Sequence, residues 1–280
     1  METFHSNEFM FVKDITLLVS NIDQQIKFYT EVLGLKLIEK IANRYLLGTH
    51  TNQLLLTLEH NILATPKEKS TGLYHFALLL PSRAHLGQFI KHLIKLQTPV
   101  TGGADHGISE ALYLDDPEGN GIEIYADRLK KDWPDFNEVV NKPMDYQDLV
   151  NHAITEPFTK IPDGTIMGHI HLHVSRIEKG TQFFKNVLTF QSTMAYGPHA
   201  HFVSDGGYHH HVGFNVWNGI DIKNKSELSK GLIAYTIQLP LDKYNSLKEN
   251  FKLKRVELLK DEHGEYIKDM NDVNVYFTTV

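Results

Sequence analysis

The side chains best suited to chemistry lie between His106 and Glu123, in the segment HGISEALYLDDPEGNGIE. This short stretch supplies an imidazole from His106, a phenol from Tyr113 and a carboxylate from Glu123. Imidazole and carboxylate groups bind metal ions, and imidazole and phenol groups can transfer protons. The combination suits a metal-dependent reaction on a phenolic substrate.

A predicted hairpin would bring these three side chains together. The sequence DDPEGNG is typical of a tight turn, so ALYL before it and GIEIY after it should form two paired strands. Residues on a strand alternate between its faces, which places Glu123 and Tyr125 on one side and their isoleucine neighbours on the other. The hairpin therefore gathers the imidazole, the phenol and the carboxylate on one small patch.

Composition limits the classes of protein to consider. The chain has 280 residues, a formal charge of −6 and a pI near 6.3, so it offers no basic surface for nucleic acid or an anionic membrane. It has no cysteine, which excludes disulfides, zinc–cysteine sites and thiol nucleophiles. The opening METFHSNEFM does not have the pattern of a secretory signal, so the cytoplasm is the expected location. Seventeen histidines favour a metal site.

Internal repeats predict the architecture. The segment VSNIDQQIKFYTEVLGLKL, from Val19, aligns without a gap with VSRIEKGTQFFKNVLTFQS, from Val174. Each follows a predicted strand and has the apolar spacing of a helix. A second plan, a strand from GLYHFALLLP followed by a helix, recurs from GLIAYTIQLP. The chain is therefore predicted to be α+β, with four βαβββ modules near 8–65, 70–128, 165–218 and 229–280.

These modules suggest two domains, 1–128 and 165–280, each containing two modules. The intervening connector, 129–164, is expected to be irregular apart from a helix around MDYQDLVNHA.

The hairpin segment resembles the signature of the extradiol ring-cleaving dioxygenases. The matching positions are His106, Leu112, Tyr113, Asp116, Pro117, Gly119 and Glu123. One position departs from the signature. Two residues before the histidine the signature prefers a residue other than alanine, and this chain has Ala104. The four-module plan is similar to that of the vicinal oxygen chelate superfamily, which includes glyoxalase I and fosfomycin-resistance proteins. This resemblance implies two open β-barrels with flanking helices, each barrel built by a pair of modules.

The resemblance also implies a set of metal ligands. Ligands in this superfamily are a histidine on the first strand of a module and a glutamate on the last. These positions correspond to His75, His169 and Glu123 in the second and third modules. At the histidine position, the first module has Asp14 and the fourth has Ala234. At the glutamate position, the fourth module has Asn274. These two modules are therefore expected to have lost the ligands. For one site to form, the second module must pair with the third and the first with the fourth.

Two histidines and a carboxylate favour Fe(II), with Mn(II) as the other candidate. Each residue also has an ordinary structural interpretation. His75 could be a core histidine, Glu123 a solvent-facing strand residue, and His169 one of three histidines on a sheet face.

The resemblance assigns catalytic roles to three further residues. Tyr113 and His106 are expected to hydrogen-bond the substrate oxygens. An acid–base histidine is expected from the run at 209–211, interpreted as part of a strand, and strand alternation would let one of His210 and His211 face the site. We predict His210. Two other histidines, His199 and His201, are candidates to line the pocket. Seven are predicted to lie on the surface: His5, His50, His60, His85, His92, His152 and His263.

The predicted activity is oxidative cleavage of a catechol-type ring by O2, so the expected partners are a small aromatic diol and O2. A glyoxalase-type lyase or a metal-dependent thiol transferase is the alternative, and a binder similar to the bleomycin-resistance proteins is a third. Glyoxalase I usually takes a carboxylate from each paired module, whereas the third module here offers histidine or Asn215. Exposed strand edges of such barrels favour a homodimer. The sequence leaves the substituents of the ring open.

Overall fold

The computed structural model describes residues 4–139 and 141–280 and has the predicted α+β fold. The first module contains β1 (Phe11–Val19), α1 (Ile22–Lys27), a π-helical turn (Phe28–Val32), β2 (Lys36–Ile41), β3 (Arg44–Gly48) and β4 (Leu54–His60). The second contains β5 (Gly72–Leu79), α2 (Arg83–Leu96), β6 (Gly102–Asp105), β7 (Ser109–Asp115) and β8 (Gly121–Asp127).

The connector holds short elements. They are 3-10 turns at Lys130–Asp132 and Phe136–Glu138, strand β9 (Lys142–Pro143) and helix α3 (Tyr146–Asn151). The helix lies where the sequence predicted one, and the Asp145 side chain caps it by accepting from the Asp148 N–H at 2.9 Å.

The last two modules repeat the plan of the first two. The third contains β10 (Ile166–His173), α4 (Ile177–Thr181), a π-helical turn (Gln182–Val187), β11 (Gln191–Tyr196), β12 (Ala200–Ser204) and β13 (Val212–Asn215). The fourth contains β14 (Gly231–Leu239), α5 (Leu241–Lys254), β15 (Leu259–Asp261), β16 (Gly264–Lys268) and β17 (Asn274–Thr279).

The strands form two curled sheets, and each sheet takes one module from each half of the chain. In one, the order is β15-β16-β17-β14-β1-β4-β3-β2, so the first module pairs with the fourth. In the other, the order is β11-β12-β13-β10-β5-β8-β7-β6-β9, so the second module pairs with the third. The central contacts are the antiparallel pairs β1–β14 and β5–β10. Strand pairing therefore crosses between the segments 1–128 and 165–280.

Strand register corrects one sequence correspondence. Ala234 pairs with Asn274 in the fourth module, whereas His75 pairs with Gly121 in the second. The fourth-module position equivalent to Glu123 is therefore Tyr276, two residues beyond Asn274. Neither residue is a carboxylate, so the fourth module still lacks that ligand.

The turn between β7 and β8 is held by one buried carboxylate. Asp116 Oδ1 accepts from the N–H groups of Glu118 and Asn120 at 2.9 and 2.8 Å. Its Oδ2 accepts from the Asn120 amide and from the Tyr29 hydroxyl of the first module. Gly119 has φ +78°, a conformation that favours glycine. The turn sequence thus fixes the hairpin and ties it to the neighbouring module.

Buried apolar side chains from all four modules form one core. Its largest fully buried members include Tyr29, Phe76, Phe89, Phe184, Phe214 and Phe251. Helix α2 contributes Leu86, Phe89 and Leu93, the predicted helical spacing. Within the described residues, no helix is long and apolar enough to span a membrane.

Candidate metal centre

His75, Glu123 and His169 meet on one buried face of the second sheet. They lie on β5, β8 and β10, with 6%, 4% and 1% of their surfaces exposed. Both Glu123 and His169 are lateral neighbours of Ala77, which sits between them on the central strand β5. His75 lies two residues from Ala77 and therefore on the same face. The pairing of the second and third modules is what brings these side chains together.

One carboxylate oxygen is shared by two imidazoles. Glu123 Oε2 lies 3.0 Å from His75 Nε2 and 3.2 Å from His169 Nε2. One potential ligand atom from each of the three residues lies within 4.8 Å of the others. This convergence leaves His75 Nε2 buried without a well-oriented hydrogen-bond partner. A buried polar atom without a partner is costly, so the arrangement fits a cation that all three atoms would bind.

The electrostatics agree with that fit. Burial alone would raise the pKa of Glu123, but the His169 and His75 side chains beside it hold that pKa well below its usual range. Burial lowers the pKa of His169, against the attraction of Glu123. The centre therefore favours an ionised carboxylate and a neutral His169, the forms that bind metals. Two histidines and one carboxylate can hold Fe(II) and leave other coordination positions open.

His106 and Tyr113 form a hydrogen-bonded pair beside the centre. Tyr113 pairs directly with Glu123 across the hairpin, and its hydroxyl lies 2.8 Å from His106 Nε2. Burial raises the pKa of Tyr113 well above its usual range, and the nearby Glu123 charge adds to this effect. Tyr113 is thus a neutral hydrogen-bond donor.

Asn141 completes this chain of contacts and was missed in the sequence. Its Oδ1 lies 2.6 Å from His106 Nδ1. If His106 donates from Nδ1 to this oxygen, its Nε2 is left to accept the Tyr113 proton. The pairing of β6 with β9 joins Ala104 to Pro143 and Asp105 to Lys142, so the next step of that register places Asn141 opposite His106. A two-residue strand in the connector gave no sequence signal.

The histidine run 209–211 is not part of a strand, so that prediction was wrong. Strand β13 begins at Val212, and the three histidines lie in the preceding loop. His210 lines the cavity, with its ring centroid 4.1 Å from that of His169. Burial, followed by the neighbouring histidines, lowers the pKa of His210 well below its usual range.

The two neighbours of His210 are engaged elsewhere. His209 contacts Asp127 Oδ1 at 3.0 Å and His210 Nδ1 at 2.7 Å. His211 accepts from the Asp205 N–H and donates to the Phe4 carbonyl. The three side chains therefore lie in different places because each has different contacts, and not because they alternate along a strand.

Three other histidines also differ from the predictions. His199 and His201 are not among the described residues that line the cavity; His199 is exposed, and His201 lies 2.9 Å from Ser192 Oγ. His5, predicted at the surface, donates to the Gly168 carbonyl at 2.8 Å, and burial lowers its pKa to about 4.

The predicted site residues share a cavity of about 210 Å³. His75, Glu123, His169, His106, Tyr113 and His210 all line it. The structure adds His171, which is buried and has no hydrogen-bond partner for its Nε2, and the apolar residues Ile108, Met194 and Phe202. The sequence placed His171 in a histidine-rich strand but gave no reason to select it.

Comparison with known proteins agrees with this architecture. The family model described as the Glyoxalase/Bleomycin resistance protein/Dioxygenase superfamily matches residues 12–124. The chain is 41% identical over 231 residues to a catechol-2,3-dioxygenase of Bacillus subtilis (strain 168), a match covering 80% of this chain and 81% of that protein. It is 28% identical to a lactoylglutathione lyase of Escherichia coli O157:H7, over 40% of this chain and 89% of that protein.

A solved structure supports the fold. The crystal structure of a protein from Bacillus subtilis subsp. subtilis str. 168 superposes with a TM-score of 0.68 and 13% identity, covering 98% of this chain and 86% of that one. The long 41% match, together with the two paired-module sheets, assigns the family. The chain therefore belongs to the glyoxalase/bleomycin resistance protein/dioxygenase superfamily, in which it is an extradiol dioxygenase-like enzyme.

Proposed function

We propose that this protein is an Fe(II)-dependent extradiol dioxygenase that opens the ring of a catechol with O2. His75, Glu123 and His169 would be the metal ligands, and His106, Tyr113 and His210 the catalytic residues. The observation that carries the proposal is the convergence of two imidazole nitrogens on one buried carboxylate oxygen. It occurs in a chain 41% identical to a catechol-2,3-dioxygenase. The same donor set accepts Mn(II), which is the alternative metal.

When bound, Fe(II) would supply open coordination positions for the diol and O2 and a route for electrons between them. The protein groups perform the remaining tasks. Glu123 offers one negative charge, which balances only part of a divalent ion and favours a substrate that has lost at least one proton.

Tyr113 and His106 would orient the substrate oxygens. The Tyr113 hydroxyl is neutral and buried, so it can donate to a deprotonated catechol oxygen in place of His106 Nε2. His106 Nε2 would then lose its contact with the Tyr113 hydroxyl, while His106 Nδ1 would keep its contact with Asn141. The pair thereby places a donor beside Glu123, on the face that holds the metal ligands.

His210 would hold or transfer a proton during ring opening. Its Nδ1 contacts His209, so Nε2 is the nitrogen available to a substrate in the cavity. A neutral imidazole can accept a proton at this atom and return it after the ring opens.

O2 uptake by the reconstituted protein tests the proposal. The protein is loaded with Fe(II) without air and given catechol and O2, and both oxygen consumption and the yellow colour of an extradiol product are followed. We expect turnover in the wild type. Glu123→Gln should lose metal binding or turnover because it removes the only carboxylate among the three clustered ligands.

Glu249→Gln makes the same chemical change on the exposed surface of α5 and is the matched control. Full activity in Glu123→Gln would contradict the ligand assignment. Tight metal binding without turnover of several catechols would favour a metal-dependent lyase or transferase.

A further inference from the structure

We propose that Asp127 and His209 are positioning residues that keep a lone pair on Nε2 of His210. Asp127 acts on His209, and His209 in turn acts on His210. This inference rests on the proposed function, in which His210 accepts a proton, and it names the groups that prepare His210 for that task.

The Asp127 side chain, at the end of β8, is engaged through both of its carboxylate oxygens. Its Oδ2 accepts from the Tyr208 hydroxyl at 2.9 Å, and its Oδ1 lies 3.0 Å from His209 Nε2. The Tyr125 hydroxyl lies 2.7 Å from that of Tyr208 and can donate to it. Asp127 is 19% exposed at its side chain, whereas His209 is fully buried. The carboxylate is therefore held in one orientation against a buried imidazole.

This carboxylate fixes the tautomer of His209. A carboxylate oxygen accepts hydrogen bonds, so His209 has to donate from Nε2. The other neutral tautomer would place two lone pairs against each other in a buried site, which is unfavourable. Neutral His209 therefore has its proton on Nε2 and a lone pair on Nδ1.

The tautomer of His209 in turn fixes that of His210. The Nδ1 atoms of the two rings are 2.7 Å apart, and a single proton lies between two neutral rings in such a contact. Because His209 Nδ1 offers a lone pair, His210 donates from its own Nδ1 and keeps a lone pair on Nε2. His210 lines the cavity, so this lone pair is the one that a substrate proton can reach.

The opposite direction of the two hydrogen bonds would disable His210. If His209 donated from Nδ1, His210 would have its proton on Nε2 and could not accept another there. The aspartate of the Ser-His-Asp triad fixes the tautomer of its histidine in the same manner, and replacing that aspartate by asparagine lowers kcat by about 10⁴-fold.

Asp127→Asn tests the direction of these hydrogen bonds. The new amide can accept from Tyr208 through its oxygen and donate to His209 Nε2 through its nitrogen, which moves the His209 proton to Nδ1. We expect the proton of His210 to move from Nδ1 to Nε2. Nitrogen NMR shifts report both tautomers, measured on the full chain loaded with Zn(II), a diamagnetic ion that also binds histidine and carboxylate ligands.

Turnover provides a second readout. With Fe(II) and catechol, kcat of Asp127→Asn should fall by at least about 100-fold, because the atom that accepts the proton is blocked. Fe(II) affinity should not change, since His75, Glu123 and His169 are retained.

Two control variants separate positioning from general disturbance. Tyr208→Phe removes a hydrogen bond from the same carboxylate but leaves Oδ1 as the acceptor for His209, so both tautomers should stay as in the wild type. Asp242→Asn makes the same chemical change at an exposed residue of α5 and should alter neither tautomer.

The wild-type tautomers decide the inference if Asp127→Asn does not fold, as judged by circular dichroism. We expect a proton on Nε2 of His209 and on Nδ1 of His210. A proton on Nε2 of His210, or a His209 protonated on both nitrogens, would overturn the inference, as would an unchanged His210 tautomer in folded Asp127→Asn. If the wild type turns over no catechol, the proposed function fails, and the tautomers still decide whether Asp127 and His209 position His210.

Discussion

At the scale of residues, the centre depends on one carboxylate shared by two imidazoles. Glu123 could be predicted because its motif includes the turn that positions it. His75 and His169 were predicted from the superfamily resemblance, which places a histidine on the first strand of a module, and the register of the repeats located that position in this chain. Asn141 could not be predicted, because it reaches His106 through a two-residue strand pairing in an irregular connector. The spacing of the motif therefore identified His106, Tyr113 and Glu123, but not Asn141, which contacts His106.

Replacing Asn141 tests that orientation. Asn141→Leu removes the oxygen that faces His106 Nδ1, so the two tautomers of His106 become closer in energy. We expect kcat/KM to fall by up to about tenfold, the effect of one hydrogen bond, and nitrogen NMR shifts of His106 to report a changed tautomer balance.

Asn141→Asp keeps an acceptor at this position and is the matched control. It should preserve the tautomer with the proton on Nδ1. An unchanged tautomer balance in Asn141→Leu would show that Asn141 does not orient His106.

At the scale of elements, Ala77 shapes the candidate metal centre through its position on β5. It lies directly between Glu123 and His169 in the sheet and is fully buried. Its small side chain leaves the space that the three ligand atoms enclose. The sequence did not single out this residue, because an alanine in an apolar strand is ordinary.

A larger side chain at position 77 should block the centre while leaving its ligands in place. We expect Ala77→Leu to lose Fe(II) affinity by more than about 100-fold, because its methyl groups occupy the face between the ligands. Metal titration followed by elemental analysis measures the effect.

Ala77→Gly keeps the space open and is the control for disturbance of the strand. It should retain the metal and lose about 1 kcal/mol of stability. Wild-type affinity in Ala77→Leu would mean that the metal binds elsewhere.

The loop at 205–211 shows where element prediction failed. Gly206 and Gly207 both have positive φ, at 66° and 75°, and turn the chain before Val212. The histidines were interpreted as strand residues because they adjoin a β pattern. Their fixed positions come from long-range partners such as Asp127 and Phe4, which local periodicity cannot reveal.

At the scale of the molecule, the three side chains of the candidate site meet because the second module pairs with the third. Each module could be predicted from its repeat, and the ligand set required this pairing. Sequence reasoning could not establish the pairing, since the contact between β5 and β10 is long-range. The predicted segments 1–128 and 165–280 each hold only part of the ligand set.

The N-terminal segment is tied to the third module and should make stability depend on pH. His5 donates to Gly168, beside His169, and its pKa is lowered to about 4 from 6.5 mainly by burial. Between about pH 6.5 and pH 4, this imidazole is protonated in the unfolded chain but stays neutral in the folded protein. The free energy of unfolding therefore falls as pH decreases from about 6.5 to 4. At pH 5, His5 alone should lower it by about 2 kcal/mol relative to neutral pH.

His5→Gln keeps an N–H donor but cannot take up this proton. Urea unfolding at pH 7.5 and pH 5 should show a smaller loss of stability in the variant than in the wild type. Equal losses in the two proteins would show that His5 titrates normally in the folded state.

The product formed from catechol tests the proposed ring cleavage most directly. The Fe(II)-loaded protein is supplied with catechol and air, and the product is identified by mass spectrometry and visible absorbance. We predict a yellow ring-opened compound with the mass of catechol plus one O2, the result of cleavage outside the diol. A colourless diacid of the same mass, or no product from the metal-loaded protein, would contradict the proposal.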